Sequence, residues 1–214
     1  MIVHLIDGTY ELFRQFYGIR RFSKGEEGPF AAVNGVLHSV LQMFETGATH
    51  IGVATDHVIE SFRNDMWADY KTGAGIDPAL RRQFAALEEG LEAMGVAVWP
   101  TVELEADDGL ASAAHLASQD ESVQRVSIWT PDKDLAQCVR GNRVVQVDRR
   151  ANQVRDADAV KEKFGVEPVL IPDFLALVGD AADGFPGLKG WGAKSSAAVL
   201  AKWRQIEAIP DDPG

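Results

Sequence analysis

Ile2-Val3-His4-Leu5-Ile6-Asp7-Gly8 opens the chain with a short, mostly apolar run that stops at an acid and a glycine. Such a run, bounded by a turn-forming pair, is typical of a buried strand. The pattern returns at His50–Thr55, which stops at Asp56, and at Arg125–Trp129, which leads into Thr130-Pro131-Asp132. We therefore predict three strands that are each followed by an acidic residue.

Helical periodicity occupies the segments between these strands. Apolar residues recur at helical spacing in Ala31–Phe44 and in Pro78–Met94, and Asp107–Ser118 is predicted as a helix rich in small residues. Val96–Trp99 and Arg143–Val147 are predicted as further strands. Strands that alternate with helices of this length indicate an α/β fold, in which a mostly parallel sheet carries helices on both faces.

The final third of the chain is predicted to contain helices only. These helices are Ala157–Phe164, Val169–Val178 and Ala193–Trp203. A turn rich in glycine and proline, Gly179–Gly192, separates the last two. We expect an α/β core over residues 1–155 and a helical DNA- or protein-binding region over residues 156–214.

Composition restricts the class of protein. The 214 residues are 46% hydrophobic and 25% charged, which suits one domain, or one domain with a small appendage, and a buried core. The single cysteine, Cys138, excludes an internal disulfide framework and a thiol-only zinc site, and it is compatible with a reducing cytosol. The apolar start is too short for a signal peptide, and no run of about 18 apolar residues predicts a membrane span.

Nine acidic residues stand near the ends of these predicted strands and helices. In open parallel sheets, ligands bind outside the carboxyl ends of the strands, so acids that follow strands share that edge. The nine are Asp7, Asp56, Glu105, Asp107, Asp108, Asp132, Asp134, Asp180 and Asp183. Two pairs among them, Glu105 with Asp108 and Asp180 with Asp183, have the three-residue spacing that can put both acids on one helix face.

Each of these acids has an ordinary explanation when it is taken alone. An Asp after a strand often forms a turn or caps a helix, and acids at a helix start complement its dipole. Nine carboxylates gathered together would repel one another unless cations neutralised them. Oxygen ligands select Mg²⁺ or Mn²⁺, and a paired-metal site is the usual means of phosphodiester hydrolysis.

The net charge of −11 is consistent with such a cluster. A general nucleic-acid-coating protein needs a basic field, which this composition does not supply. Removing the nine acids from the 32 leaves 23 against 21 basic residues, a charge of −2. If cations neutralise the cluster, the acidity of the chain therefore does not exclude a DNA substrate.

The segment Pro186–Ser195 combines glycines with two lysines. Its spacing fails the P-loop pattern, because Ala193 intervenes before Lys194-Ser195 and a helix, rather than a strand, precedes it. One interpretation is a hairpin whose backbone N–H groups grip a phosphate at a helix N-terminus, where Lys189 would add positive charge. The other is a helix–helix corner in which glycines allow close packing.

Glu60–Gly75 interleaves basic and aromatic residues. They are Phe62, Arg63, Trp67, Tyr70 and Lys71. This composition suits a single-stranded nucleic-acid path, although a partly buried amphipathic surface segment has the same pattern. The five histidines lack metal-ligand spacing, and we interpret His57, beside Asp56, as incidental.

Taken together, these segments resemble the 5′-nuclease family, which includes flap endonucleases and the 5′–3′ exonuclease domain at the front of bacterial DNA polymerase I. The most specific motifs are Glu105-Ala106-Asp107-Asp108, Thr130-Pro131-Asp132-Lys133-Asp134-Leu135, Gly179-Asp180-Ala181-Ala182-Asp183 and Phe185–Gly192. Three shorter matches are Phe13-Arg14, Ser61-Phe62-Arg63 and Tyr70-Lys71. In this order, the motifs cover nearly the whole chain.

The resemblance implies a PIN-like core, a helical arch at residues 58–78 and a helix–three-turn–helix motif at residues 169–203. It also implies two Mg²⁺ or Mn²⁺ ions in one active site. The ion nearer the scissile phosphate would be held, directly or through water, by Asp7, Asp56, Glu105, Asp107 and Asp132. The second would be held by Asp134, Asp180 and Asp183, with Asp108 supporting the cluster. Lys71 would offer a cation to the phosphate, and the catalytic set would be Lys71, Asp7, Asp56 and Asp108.

The same resemblance implies a substrate of DNA with 5′ ends, flaps or junctions. It implies a monomer that works in the cytoplasm, away from membranes. The expected DNA-binding residues are Arg14, Arg63, Lys71, Gly187, Lys189, Gly190, Gly192, Lys194 and Ser195. In some relatives backbone carbonyls of the turn hold a monovalent cation, so K⁺ is expected there.

Three departures from the family pattern leave two alternatives open. Ala74 stands where the family usually carries an Arg, Gly184 stands where an Asn is common, and the chain ends about a dozen residues after Trp203. All nine carboxylates are present, so we expect the metal chemistry to be retained. The alternatives are a relative that binds DNA junctions but cleaves poorly, and a PIN-type ribonuclease on the same core.

Overall fold

The computed structural model describes residues 1–24 and 27–210, and a six-stranded sheet lies at its centre. The strands are β1 (Ile2–Asp7), β2 (His50–Asp56), β3 (Ala97–Thr101), β4 (Arg125–Trp129), β5 (Val144–Asp148) and β6 (Gln153–Arg155). Their order across the sheet is β3-β2-β1-β4-β5-β6, and only β6 is antiparallel to its neighbour. The predicted mostly parallel sheet is confirmed.

Helices cover both faces of this sheet. The α-helices of the described residues are α1 (Gly8–Ser23), α2 (Ala31–Glu45), α3 (Arg63–Met66), α4 (Pro78–Arg81), α5 (Phe84–Ala93), α6 (Ala106–Gln119), α7 (Ala157–Phe164), α8 (Ile171–Val178) and α9 (Ala193–Trp203). Side chains alternate between the two faces of a strand. Ile6 therefore packs with α1, α2 and α5, whereas its neighbour Leu5 packs beneath α6.

Some predicted elements were incomplete. The patterns gave no sign of α1, which begins where Asp7 accepts a hydrogen bond from the N–H of Tyr10 at 2.8 Å. The single helix predicted over Pro78–Met94 was wrong, because it divides into α4 and α5. At the break, the buried Gln83 side chain accepts a hydrogen bond from the N–H of Val33 at 3.2 Å, a long-range contact that periodicity cannot indicate.

Other boundaries differ by a few residues. The helix predicted at Val169–Val178 begins as a 3-10 turn, Pro168–Leu170, and continues as α8. Short strand β6 was not predicted. Asp134 lies in a 3-10 helix, Asp134–Cys138, rather than at the end of a strand.

The last three helices form a core with that 3-10 helix. Leu177 of α8, Leu200 of α9 and Val160 of α7 pack together with Ala136. The predicted helical region at 156–214 is described to residue 210, so its last four residues lie outside the described part. None of the helices in the described ranges combines the length and the apolar character that a membrane crossing needs.

Candidate metal centre

Asp7 occupies the carboxyl end of the central strand β1. One carboxylate oxygen caps α1 through the Tyr10 N–H, and the other accepts the hydroxyl of Thr130 at 3.2 Å. The residue is only 8% exposed. Burial, with the nearby charges of Asp56 and Asp132, raises the pKa of Asp7 to about 7, although its hydrogen bonds act in the opposite direction.

Asp56 ends the neighbouring strand β2. Its Oδ1 accepts a hydrogen bond from the N–H of Ala106 at 2.8 Å, at the first residue of α6. Its own N–H donates to the Thr9 hydroxyl at 2.8 Å. Burial raises the pKa of this carboxyl as well. Because β1 and β2 are parallel and adjacent, Asp7 and Asp56 meet at one edge of the sheet, as predicted.

A first triad of carboxylates lies beside these two acids. Asp107, Asp132 and Asp134 offer oxygens that all lie within 4.8 Å of one another. The Oδ1 of Asp132 accepts the N–H of Asp134 at 2.9 Å, which ties the Asp132 side chain to the backbone of Asp134. Burial, followed by the charges of Asp7 and Asp132, raises the pKa of Asp107 well above its usual range.

A second triad shares one member with the first. Asp134, Asp180 and Asp183 also offer oxygens within 4.8 Å of one another. Asp180 and Asp183 come from the turn after α8, and the Oδ1 of Asp180 lies 2.8 Å from the Nζ of Lys133. Asp134 therefore stands between two groups of carboxylates, which the sequence had assigned to separate metal ions.

The chemistry of Asp134 fits a cation. Its Oδ1 is buried and has no hydrogen-bond partner among the described residues. Burial, with the charges of Asp132 and Asp183, raises the pKa of Asp134 to about 7. An unpartnered buried oxygen in a cluster of like charges is costly unless a proton or a cation compensates it. An all-oxygen donor set is the kind that suits Mg²⁺ or Mn²⁺.

Glu105 and Asp108 were expected in the same metal cluster, but neither belongs to a triad. Asp108 receives both terminal nitrogens of Arg63 at 2.8 Å, and one of its oxygens also accepts the N–H of Glu105. The Arg63 hydrogen bonds hold the pKa of Asp108 below its usual range. Glu105 lies 2.8 Å from the Nζ of Lys71 and accepts the hydroxyl of Ser61 at 2.7 Å. Their oxygens face cationic and hydroxyl groups of the segment at 58–78.

Lys71 connects that segment to the acids. Its Nζ lies 2.8 Å from Glu105 and 3.4 Å from Asp183 of the second triad. Burial opposes its charge, but the hydrogen bond to Glu105 and the charge of Asp183 outweigh burial and raise the pKa of Lys71. Lys71 therefore carries its positive charge at the edge of the carboxylate cluster.

The segment at 58–78 rests on the turn after α8. The indole N–H of Trp67 donates to the carbonyl of Gly184 at 3.2 Å, and the rings of Trp67 and Phe185 meet edge to face at 5.9 Å. Gly184 has a φ of +74°, and a Cβ there would collide with the carbonyl of Asp69. The glycine that departs from the family pattern is thus required by this contact.

Carboxylates of the cluster line two cavities. A cavity of about 320 Å³ is lined by Asp7, Asp56, Asp107, Asp132 and Lys71, among others. A second, of about 490 Å³, is lined by the second triad and by apolar side chains, namely Phe62, Met66, Trp67 and Phe185. Each cavity therefore combines carboxylates of the cluster with aromatic and aliphatic side chains.

The expected DNA-binding residues are divided between two environments. The turn lysines, Lys189 and Lys194, are exposed, as are Gly190 and Gly192. The Ser195 hydroxyl is used within the turn, where it accepts the N–H of Gly192 at 2.9 Å. Gly187 has a φ of +65° and packs against the backbone of Val178, which favours the close-packed corner at that position.

Arg14 and Arg63, unlike the exposed turn lysines, form ion pairs with acidic side chains close to them. Arg14 lies 2.6 Å from the buried Glu11 of the same helix, and Arg63 is held by Asp108 and Glu105. Sequence reasoning assigned no role to Lys133, which contacts Asp180, or to Thr130, which contacts Asp7. Both residues belong to the Thr130–Leu135 motif, so their position in the sequence near Asp132 could have indicated that they contact the acidic cluster.

The sequence of the chain matches a described protein family and individual proteins. Residues 2–165 match the family described as "5′-3′ exonuclease, N-terminal resolvase-like domain". A 5′-3′ exonuclease of Aquifex aeolicus is 32% identical over 209 residues, which are 97% of this chain and 71% of that protein. DNA polymerase I of Pseudomonas aeruginosa is 35% identical over 198 residues, which are 92% of this chain and 21% of the polymerase.

Solved structures share the fold. The bacteriophage T5 D15 flap endonuclease, in a pseudo-enzyme-product complex with DNA and metal ions, has a TM-score of 0.79 at 18% identity, covering 100% of this chain and 79% of that one. T5 5′-exonuclease with bound zinc has a TM-score of 0.76 at 20% identity, covering 100% of this chain and 81% of the other. The PIN-like fold is confirmed, and both of these neighbours were solved with metal ions, one of them also with DNA.

Proposed function

The chain belongs to the 5′-3′ exonuclease family, and from that membership we propose that it hydrolyses phosphodiester bonds near 5′ ends or flaps of DNA with two divalent cations. The observation that carries the proposal is Asp134, which is shared by two carboxylate triads and has an unpartnered buried oxygen. A lone structural acid would have hydrogen-bond partners instead. Paired cation sites are the arrangement that phosphoryl chemistry uses.

Each side of the cluster has a distinct role in this proposal. Asp107 and Asp132 would hold one cation, Asp180 and Asp183 the other, and Asp134 would contact both. Bound Mg²⁺ or Mn²⁺ would lower the pKa of a coordinated water and stabilise the negative charge that develops on the phosphate. Asp7 and Asp56 line the same cavity as Asp107 and Asp132, where they would add negative charge around the first cation.

Lys71 would act on the substrate itself. It lines the cavity that Asp7 and Asp56 also line, and it carries a charged amine between Glu105 and Asp183. An ammonium at this point attracts a phosphate that reaches the cluster, which would otherwise repel it. Glu105 would keep Lys71 charged and oriented, a positioning role in place of the metal-ligand role expected from the sequence.

Two surfaces support DNA as the substrate. The turn lysines flank the start of α9, where helix N–H groups without intrahelical partners favour a phosphate. The aromatic cavity beside the second triad offers faces on which unpaired bases can stack. A monovalent cation held by turn carbonyls stays part of the proposal, and replacing K⁺ by Li⁺ during DNA-binding measurements would test it.

The test is cleavage of an end-labelled 5′-flap DNA in Mg²⁺, Mn²⁺ or EDTA. Metal-dependent cuts near the junction are expected, and Asp56→Asn should abolish them while leaving the circular dichroism spectrum unchanged. Asp158→Asn, at an exposed position on α7, is the matched control and should cut like the wild type. No cleavage in either metal would contradict the proposal.

Two alternatives have distinct outcomes in the same assay. A DNA-junction-binding relative would shift the flap in a gel at saturating Mg²⁺ without cutting it. A PIN-type ribonuclease would cut an RNA flap faster than the matching DNA flap. The ion pairs of Arg63 with Asp108 and of Lys71 with Glu105 are the features that would favour weak cleavage, because they occupy acids that the family resemblance assigns to metal.

A further inference from the structure

Glu88 is a buried carboxylate that the metal centre does not use. It lies on α5, is 6% exposed and belongs to neither triad. A buried carboxylate needs hydrogen-bond or charged partners that offset the free energy lost when it is removed from water. The partners of Glu88 are the two residues on either side of Asp56.

Both oxygens of Glu88 are engaged. The Oε1 accepts the hydroxyl of Thr55 at 2.7 Å, and the Oε2 lies 2.8 Å from the Nδ1 of His57. The N–H of His57 donates to the carbonyl of Thr55 at 3.1 Å, so the chain turns at Asp56, and both neighbours of Asp56 contact Glu88. His57, which the sequence gave no reason to single out, is therefore held by a carboxylate from another helix.

The backbone around Asp56 is held from several directions. The Thr101 hydroxyl donates to the Thr55 carbonyl at 3.0 Å, and the Asp56 N–H donates to Thr9. On the metal side, Asp56 gives one oxygen to the Ala106 N–H. The backbone that carries the Asp56 carboxylate is thus held by Thr9 and Thr101 and, through Thr55 and His57, by Glu88.

We propose that Glu88 is a positioning residue for Asp56: by binding Thr55 and His57, it fixes the strand end from which Asp56 faces the cation. The proposal rests on the metal-dependent nuclease function proposed above. Groups that orient metal-site carboxylates through hydrogen bonds change metal affinity or activity by about 10- to 100-fold when they are removed.

The experiment compares three variants. Glu88→Ala removes both contacts, and Glu89→Ala removes an exposed acid one residue along the same helix. Glu88→Gln keeps an acceptor for Thr55 and replaces the oxygen that faces the His57 ring by an amide donor, which the other neutral tautomer of His57 can accept. Mn²⁺ affinity is measured by electron paramagnetic resonance without DNA, and kcat and KM are measured on the flap. Thermal unfolding in EDTA reports stability separately.

Glu88→Ala is expected to weaken Mn²⁺ binding and to lower kcat by about tenfold or more, with KM for the flap unchanged. Glu88→Gln should stay within about threefold of the wild type, because it keeps the acceptor for Thr55 and its amide can donate to the other neutral tautomer of His57. Glu89→Ala should match the wild type. A Glu88→Ala protein that unfolds at a lower temperature but keeps wild-type Mn²⁺ affinity and kcat would overturn the proposal.

Two further outcomes are distinguishable. If Glu88→Ala fails to fold, Thr55→Val removes one contact at nearly constant shape, and unchanged Mn²⁺ affinity in that variant would also overturn the proposal. If the wild type binds Mn²⁺ but cuts no nucleic acid, the nuclease function fails, while the Mn²⁺ affinities still decide the role of Glu88.

Discussion

Replacing Asp134 by Asn should make the metal-free protein more stable and the enzyme inactive. The pKa of Asp134 is about 7, compared with the 3.8 of an unperturbed Asp. Each pKa unit corresponds to 1.36 kcal/mol, so a difference of about three units means that the ionised Asp134 destabilises the folded state by at most about 4 kcal/mol well above neutral pH. An unpartnered buried amide offsets about 1–2 kcal/mol of that gain, which leaves roughly 2 kcal/mol.

This gain is measurable by thermal unfolding in EDTA at about pH 8. For a chain of this size, about 2 kcal/mol corresponds to a rise in Tm of roughly 4–8 °C. Mn²⁺ should raise the Tm of the wild type and leave that of Asp134→Asn unchanged, and cleavage should fall by more than about 100-fold. The exposed Asp158→Asn should change neither quantity.

The reasoning fails on either of two results. If Asp134→Asn lowers the Tm in EDTA, the carboxylate is not the source of repulsion that its neighbours imply. If the variant keeps wild-type cleavage, Asp134 is not shared between two working cation sites.

Three further predictions concern pH, the arch and the turn lysines. Burial and neighbouring acids raise the pKa of Asp7 and of Asp134 from 3.8 to about 7, so the folded protein binds more protons than the unfolded chain between these two values. The Tm in EDTA should therefore fall as the pH rises from about 4 to about 7 and level off above that, and a flat profile would contradict this. In urea unfolding, Gly184→Ala should lower the free energy of unfolding by at least about 1 kcal/mol more than Gly190→Ala does. Both glycines have a positive φ, but only a Cβ at Gly184 would meet backbone atoms, so equal losses would exclude the close contact. Replacing both turn lysines by Ala should reduce the slope of log Kd against log salt concentration for duplex DNA by about 2. Fluorescence anisotropy without divalent metal measures this slope, and an unchanged slope would show that these lysines do not contact the DNA.

The parallel sheet and the convergence of its acids could be predicted from the sequence. Asp7, Asp56 and Asp132 each follow a strand, and parallel neighbouring strands bring their carboxyl ends to one edge. That rule depends only on chain direction and strand order. The triad formed by Asp134, Asp180 and Asp183 needed the family resemblance as well, because two of these acids lie on a turn rather than on the sheet.

The partners of the acids could not be predicted in the same way. Glu105 and Asp108 have the residue type and spacing of ligands, yet Lys71 and Arg63 bind them from a segment more than thirty residues away. The role of Gly184 likewise depends on where the carbonyl of Asp69 arrives. Such contacts depend on how the segment at 58–78 packs, which local patterns do not encode.

The sharing of Asp134 between two cations can be observed directly. Crystals of the protein soaked in Mn²⁺ should give two anomalous difference peaks about 4 Å apart, as in other two-metal sites. One peak should touch Asp107, Asp132 and Asp134, and the other should touch Asp134 and the turn acids Asp180 and Asp183. A single peak, or two peaks that do not both contact Asp134, would contradict the paired site on which the proposed nuclease function depends.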